Sequence, residues 1–147
     1  MAKKAKKPKV KEFVLDSSIA LAWCFPDEQA PLPVAVLDSL ATARGVVPSL
    51  WHLEVANSLM VGERRKRSSE ADTVNWLRFL ASLPIAVDEE TVARAWSSVL
   101  TLARSHNLSA YDASYLELAS RRGLPLASLD KDLMTAAKAI GISEYVP

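Results

Sequence analysis

Cysteine is all but missing from this chain of 147 residues: Cys24 stands alone. An intramolecular disulfide is thereby excluded, and nothing suggests secretion. No His or Lys adjoins Cys24 in sequence, so it reads as a buried structural residue rather than a nucleophile. Histidine is nearly as scarce. His52 and His106 lack zinc-motif spacing, so a soft-metal site is not expected. Long apolar runs are absent too. None approaches the ~20 residues that cross a bilayer, and no membrane association is expected. The lysine-rich start is not followed by a long apolar stretch or a small-residue cleavage site. A cytoplasmic location is therefore expected.

Acids are missing from residues 1–11, which hold six lysines (Lys3, Lys4, Lys6, Lys7, Lys9 and Lys11). That segment lacks hydrophobic periodicity and reads as a disordered basic tail. The tail takes six of the 18 basic residues and leaves 12 against 17 acidic ones, a net of −5 for the body. An acidic body is unlike a generic DNA-binding module, which presents a broad basic face. Outside the tail, positive charge gathers only at Arg64-Arg65-Lys66-Arg67. With half its residues hydrophobic, the stretch 12–147 suits one domain with its own core.

Short apolar runs alternate with helical patterns. Phe13-Val14-Leu15, Val46-Val47-Pro48, Pro84–Val87 and Leu126-Ala127-Ser128 read as strands, and Glu144-Tyr145-Val146 as an edge strand. Helices are expected over Ser17–Phe25, Val34–Arg44 with Gly45 as its cap, Leu50–Arg67, Ser68–Leu83, Glu89–Ser105, Ser109–Arg122 and Asp130–Ile140. Pro26–Pro33 reads as a loop. Leu53, Ala56, Leu59 and Met60 are expected on the core stripe of one helix, and Val92, Trp96, Val99 and Ala103 on that of another. Trp23, Trp51, Trp76 and Trp96 read as core or as a seam between two copies. No hairpin signal joins any two strands, which implies an α/β domain with a mainly parallel sheet.

In such sheets ligands bind beyond the carboxyl ends of the strands. Asp16 and Asp130 sit just past such ends. Asp16 also suits a helix N-cap, as does Asp130. Glu54 lies one turn into its helix, with Asn57 a turn further on, placed to orient the carboxylate. Asp112 follows Ser109 at capping-box spacing, yet that placement also points a carboxylate out of the first turn. Asp132 is expected to face solvent more than Asp130 does. Carboxylates gathered within a few ångströms raise one another's pKa, and a hard cation such as Mg²⁺ or Mn²⁺ relieves the cost.

Four stretches carry a resemblance. Val14-Leu15-Asp16-Ser17-Ser18-Ile19 looks like the first acidic motif of the PIN-domain ribonucleases. Pro48 through Asn57, with Glu54, is similar to the second. Ser109 through Leu118, centred on Asp112, resembles the third. Leu126-Ala127-Ser128-Leu129-Asp130-Lys131-Asp132 resembles the fourth. The likeness is strongest to the VapC-type toxins of toxin–antitoxin pairs and runs from Phe13 to about Tyr145. The lysine tail is outside it.

The resemblance implies a three-layer fold with a parallel sheet of four or five strands flanked by helices, forming a homodimer. It implies Mg²⁺- or Mn²⁺-dependent cleavage of RNA, with an antitoxin as partner. Asp16, Glu54, Asp112 and Asp130 would be the catalytic, metal-binding acids. Ser17, Ser18, Asn57, Ser128 and Asp132 would support them, and Arg64, Arg65, Lys66 and Arg67 would meet the RNA backbone. A non-catalytic interaction scaffold of the same fold is the alternative. Receiver and haloacid-dehalogenase domains also gather Asp around Mg²⁺, but the spacing after Asp16 meets neither pattern.

Overall fold

Phe13, Val14 and Leu15 are fully buried, the environment that a strand covered on both faces requires. They end the central strand β1 (Lys11–Leu15), which begins two residues earlier than Phe13. The computed structural model describes residues 10–28 and 30–147. Most of the expected basic tail, residues 1–9, lies outside the described residues, whereas Lys11 already belongs to β1.

Around β1, strands β2 (Ala43–Pro48), β3 (Ile85–Asp88) and β4 (Leu126–Ala127) form one sheet in the order β3-β2-β1-β4. Every neighbouring pair is parallel, with Val14 beside both Val46 and Leu126. A parallel bridge from Leu126 to Glu144 stands where the edge strand was expected. The helices are α1 (Ser17–Cys24), α2 (Pro31–Ser39), α3 (Trp51–Arg64), α4 (Glu70–Ala81), α5 (Thr91–Arg94), α6 (Leu100–His106), α7 (Ala110–Arg122) and α8 (Lys131–Ala139). They flank the sheet, as the alternating pattern implies.

Chain order steps from β1 through β2 to β3, then returns to place β4 on the other side of β1. The switch point therefore lies between β1 and β4. Helix α7 packs against β1, β2 and β4 and is buried at seven successive residues, Ala113–Ala119. A helix covered all round has little freedom to shift, so its first turn is held firmly.

Several expectations are corrected. Pro31 and Pro33 do not belong to a loop; Pro31 opens α2 at a position whose N–H would be unpaired anyway. Gly45 lies inside β2, beside Leu15 and Ile85, rather than capping a helix. In α3 the core stripe is Trp51, Val55, Leu59 and Gly62, while Leu53 is 75% exposed and Ala56 and Met60 also face outward. Between α5 and α6, residues Ala95–Val99 form a π turn. Its extra residue resets the helical phase, so Thr91 precedes Val99 and Ala103 on the buried face. Val92 and Trp96 are 79% and 94% exposed.

Candidate active site

Asp16 stands where an N-cap would, yet its carboxylate makes no capping bond to α1. Two serines take it instead. Ser18 and Ser128 each donate to Asp16 Oδ2 at 2.6 Å. Each hydroxyl also accepts a backbone N–H from the β4–α8 turn, Ser18 from Leu129 and Ser128 from Asp130, both at 3.0 Å. A hydroxyl can accept while it donates, so this small network joins the end of β1 to the end of β4. Asp16 Oδ1 takes no side-chain donor among the described residues.

Asp130 follows β4 and caps α8, accepting the Leu133 N–H on Oδ1 at 3.0 Å. Cap and ligand are thus compatible at this residue, because the other oxygen has no side-chain donor among the described residues. Ser109 caps α7 by accepting the Asp112 N–H at 3.0 Å. Asp112 is half-buried in that first turn. Glu54, in the first turn of α3, accepts a short hydrogen bond from the Tyr115 hydroxyl on Oε1.

Burial and mutual repulsion tie these acids electrostatically. Burial is the main force holding Asp16 above the ordinary carboxylate range; the Ser128 and Ser18 hydroxyls oppose it, and the charge of Asp130 adds to it. Burial also raises Glu54 most, with Tyr115 opposing and Asp16 and Asp112 reinforcing. Asp112 is raised by burial, then by Asp130 and Asp16. The Tyr115 phenol is pushed far up by burial, Asp16 and Glu54, so it remains a neutral donor.

Asp16 and Asp112 thus feel the charge of Asp130, and Glu54 feels Asp16 and Asp112, so the four acids share one neighbourhood by the ends of β1 and β4. Ser17, buried at the start of α1, lies beside Tyr115. Asn57 forms no hydrogen bond with Glu54 among the described residues; it faces a groove between α1 and α3 shared with Leu21, Phe25, Ser58 and Arg65. Asp132 is exposed, as expected, and lines a cleft with His106 and Thr135. Arg64, Arg65 and Lys66 are exposed at the end of α3. Arg67 is engaged with Asp27 at 3.0 Å and stacks over Phe25 at 4.3 Å.

Tyr115 is the functional candidate that sequence reasoning missed. Its one signal was the i+3 spacing from Asp112, which puts both on one face of α7.

The donors are all hard carboxylate oxygens, the chemistry Mg²⁺ and Mn²⁺ prefer. Among the described residues, no three acidic, His or Cys side chains converge tightly enough to enclose an ion. Mg²⁺ does not demand such a cage: it keeps several waters and binds through one or two carboxylates. The residues therefore fit a hydrated ion held at few points.

The sequence profile of the PIN domain matches residues 13–139. The chain is 31% identical over 125 residues to "Ribonuclease VapC3" of Pyrobaculum aerophilum, spanning 83% of this chain and 92% of that protein. Its fold is similar to the crystal structure of Mycobacterium tuberculosis VapC20, described as a sarcin-ricin loop cleaving toxin. There the TM-score is 0.61 at 16% identity, covering 92% of this chain and 99% of the other. It is also similar to VapBC2 of Rickettsia felis bound to promoter DNA, with a TM-score of 0.60 at 12% identity, covering 91% and 97%. The match along nearly the whole folded body, with the curated relative beside it, shows that this chain belongs to the PIN-domain family and, within it, to the VapC type.

Proposed function

We propose that this chain is an endoribonuclease dependent on Mg²⁺ or Mn²⁺ and acts as the toxin of a type II toxin–antitoxin pair. The observation that carries the reading is the gathering of four carboxylates from four helix starts at the switch point, three of them held above their ordinary pKa. Such a cluster costs stability unless positive charge offsets it. The curated relative, a ribonuclease, supports the choice of RNA as substrate.

One or two of Asp16, Glu54, Asp112 and Asp130 would hold the ion directly and the others through its waters, and the ion, when bound, would supply Lewis acidity towards water and the phosphoryl oxygens. The chain's own residues do the positioning. Ser18 and Ser128 hold Asp16 while Leu133 N–H holds Asp130, so the acids keep their aim as substrate enters. In this reading water attacks phosphorus, the P–O3′ bond breaks, and the products carry a 5′-phosphate and a 3′-hydroxyl. No side-chain nucleophile is required.

Arg64, Arg65 and Lys66 would draw the RNA backbone towards the groove that Arg65 lines. Arg67, already paired with Asp27, would contribute less. An antitoxin partner is supported by the VapBC2 neighbour. A homodimer is supported by Val92 and Trp96, four residues apart and 79% and 94% exposed, which offer a paired apolar surface.

The test is incubation of purified protein with a diverse RNA pool and Mn²⁺, followed by analysis of product ends. Cleavage with 5′-phosphate ends, lost in Asp16→Asn and Asp112→Asn, is the expected result. A cyclic-phosphate end would defeat the mechanism. No cleavage of any RNA would favour the scaffold reading, for which the open spacing of the acids is the supporting observation.

A further inference from the structure

The clamped oxygens repeat a pattern. Glu54 Oε1 is engaged by Tyr115, Asp16 Oδ2 by two serines and Asp130 Oδ1 by a backbone N–H. In each case the second oxygen has no side-chain donor among the described residues. A hydrogen bond on one oxygen fixes the plane of the carboxylate and draws electron density from that oxygen, so the other oxygen alone is the better donor to a cation. That distinction separates cations: Ca²⁺ takes six to eight oxygens and readily uses carboxylates through both, whereas Mg²⁺ demands near-octahedral geometry and single-oxygen contacts.

Tyr115 is the clamp with a tertiary reach. It comes from α7, the helix that carries Asp112, and grips an acid 61 residues away on α3. The ring is fully buried, so the hydroxyl cannot swing out to water.

We propose that Tyr115 is a positioning residue whose hydroxyl restricts Glu54 to single-oxygen ligation, so that the site favours Mg²⁺ and Mn²⁺ over Ca²⁺. The inference rests on the metal reading of the acid cluster given above. Removing the hydroxyl releases Glu54 Oε1. The carboxylate then rotates freely and can meet Ca²⁺ with both oxygens, while it loses the aim that suits the smaller ions.

The experiment is calorimetric titration of the full chain and of Tyr115→Phe with Mn²⁺ and, separately, Ca²⁺. Losing such a partner typically costs about 10–100-fold in metal affinity. The Mn²⁺ affinity of Tyr115→Phe is expected to fall about tenfold or more. The Ca²⁺ affinity is expected to hold or rise, so that the ratio of the two moves towards Ca²⁺. Equal factors for both ions, or no change in either, overturn the proposal. If the unaltered chain binds no Mn²⁺, the metal reading itself fails and takes this inference with it. Should the Tyr115→Phe protein not fold, infrared spectra of the unaltered chain with Mn²⁺ and with Ca²⁺ replace it, Glu54→Gln serving to assign the Glu54 band. A carboxylate splitting typical of single-oxygen ligation at Glu54 is expected with Mn²⁺. A two-oxygen splitting with Mn²⁺ overturns the proposal.

Discussion

Arg121 grips Asp88 with both terminal nitrogens, Nη2 to Oδ1 at 2.8 Å and Nη1 to Oδ2 at 3.1 Å. Its Nε simultaneously donates to Glu117 Oε1 at 2.7 Å. Both carboxylates are buried, so Arg121, with Arg122 Nη1 3.5 Å from Asp88, offsets charges that water reaches poorly. Arg121→Met would strand Glu117 and leave Asp88 with only the longer contact to Arg122 as a charged partner. The expected loss is about 3–5 kcal/mol, the range for breaking a buried pair from one side. Urea unfolding at pH 7 measures it. Adding Asp88→Asn and Glu117→Gln should recover part of the loss, and no recovery would show that packing rather than charge is at stake.

The same contact sets an acid limit. Its hydrogen bond to Arg121 holds Asp88 below the ordinary value of 3.8. A carboxylate whose pKa is lowered on folding contributes stability above its unfolded pKa and loses it as pH falls through the folded one. The contribution of Asp88 should therefore be complete well above its ordinary value of 3.8 and be lost progressively as pH falls through its lower folded value. Unfolding curves between pH 2 and pH 5 should lose this component in Asp88→Asn.

The acid cluster works in the opposite sense. Asp16, Glu54 and Asp112 titrate above their ordinary values of 3.8, 4.5 and 3.8. Between its unfolded and folded pKa, such a group binds protons in the folded chain that the unfolded chain has released. Stability therefore falls as pH rises through that window, and the penalty stands in full above it. Asp16→Asn removes one of these charges. Without divalent metal at pH 7, it should be more stable than the parent by about 0.5–2 kcal/mol. Adding Mn²⁺ should raise the thermal midpoint of the parent and leave that of the variant nearly unmoved. A variant less stable than its parent would contradict the charge argument.

Gly62 makes room for a neighbour. A Cβ there would stand 2.9 Å from Phe25 Cζ and 3.1 Å from Ser68 Oγ. Phe25 cannot retreat easily, being buried between Arg67 and Trp76. Gly62→Ala should cost about 1–3 kcal/mol through overpacking, despite its better helix propensity. A thermal melt that showed stabilisation would mean that α1 and α3 can part without penalty.

Trp96 tests self-association. Trp96→Asp alters a side chain with few contacts in the isolated chain, so its folding stability should change by less than about 0.5 kcal/mol. Sedimentation velocity should show the parent as a dimer and the variant as a smaller species. A monomeric parent would remove the homodimer from the proposed function.

Much of the scaffold was legible because its signals are local. Phe13-Val14-Leu15 ends in Asp16, and Leu126-Ala127 leads to Asp130; apolar runs followed by capping residues reveal strand ends without any tertiary knowledge. The misread stripes had a different cause. Leu53 and Met60 satisfy helical spacing as well as Val55 and Leu59 do, and only the packing of α3 on α1 selects between the two faces. Val92 and Trp96 would face inward in a continuous α-helix, but the π turn at Ala95–Val99 carries them outward. The contacts that orient the acids were the least legible. Tyr115 meets Glu54, and Ser128 meets Asp16 across 112 residues, so each pair becomes neighbours only when the sheet has formed.

The bridge beside β4 has a consequence for when the acids become useful. Leu126 donates its N–H to Ser143 O at 3.0 Å, and Tyr145 returns the contact to Leu126 O at 2.9 Å. The Tyr145 ring stacks on Phe13 with centroids 3.8 Å apart. β4 has two residues, so this outer support is a large share of what holds it. A growing or cleaved chain that stops short of Ser143 contains Asp16, Glu54, Asp112 and Asp130 but lacks the brace beside β4. Synthesis thus lays down the four acids before the segment that braces β4, and a proteolytic cut near residue 142 would remove that brace while leaving all four acids in place.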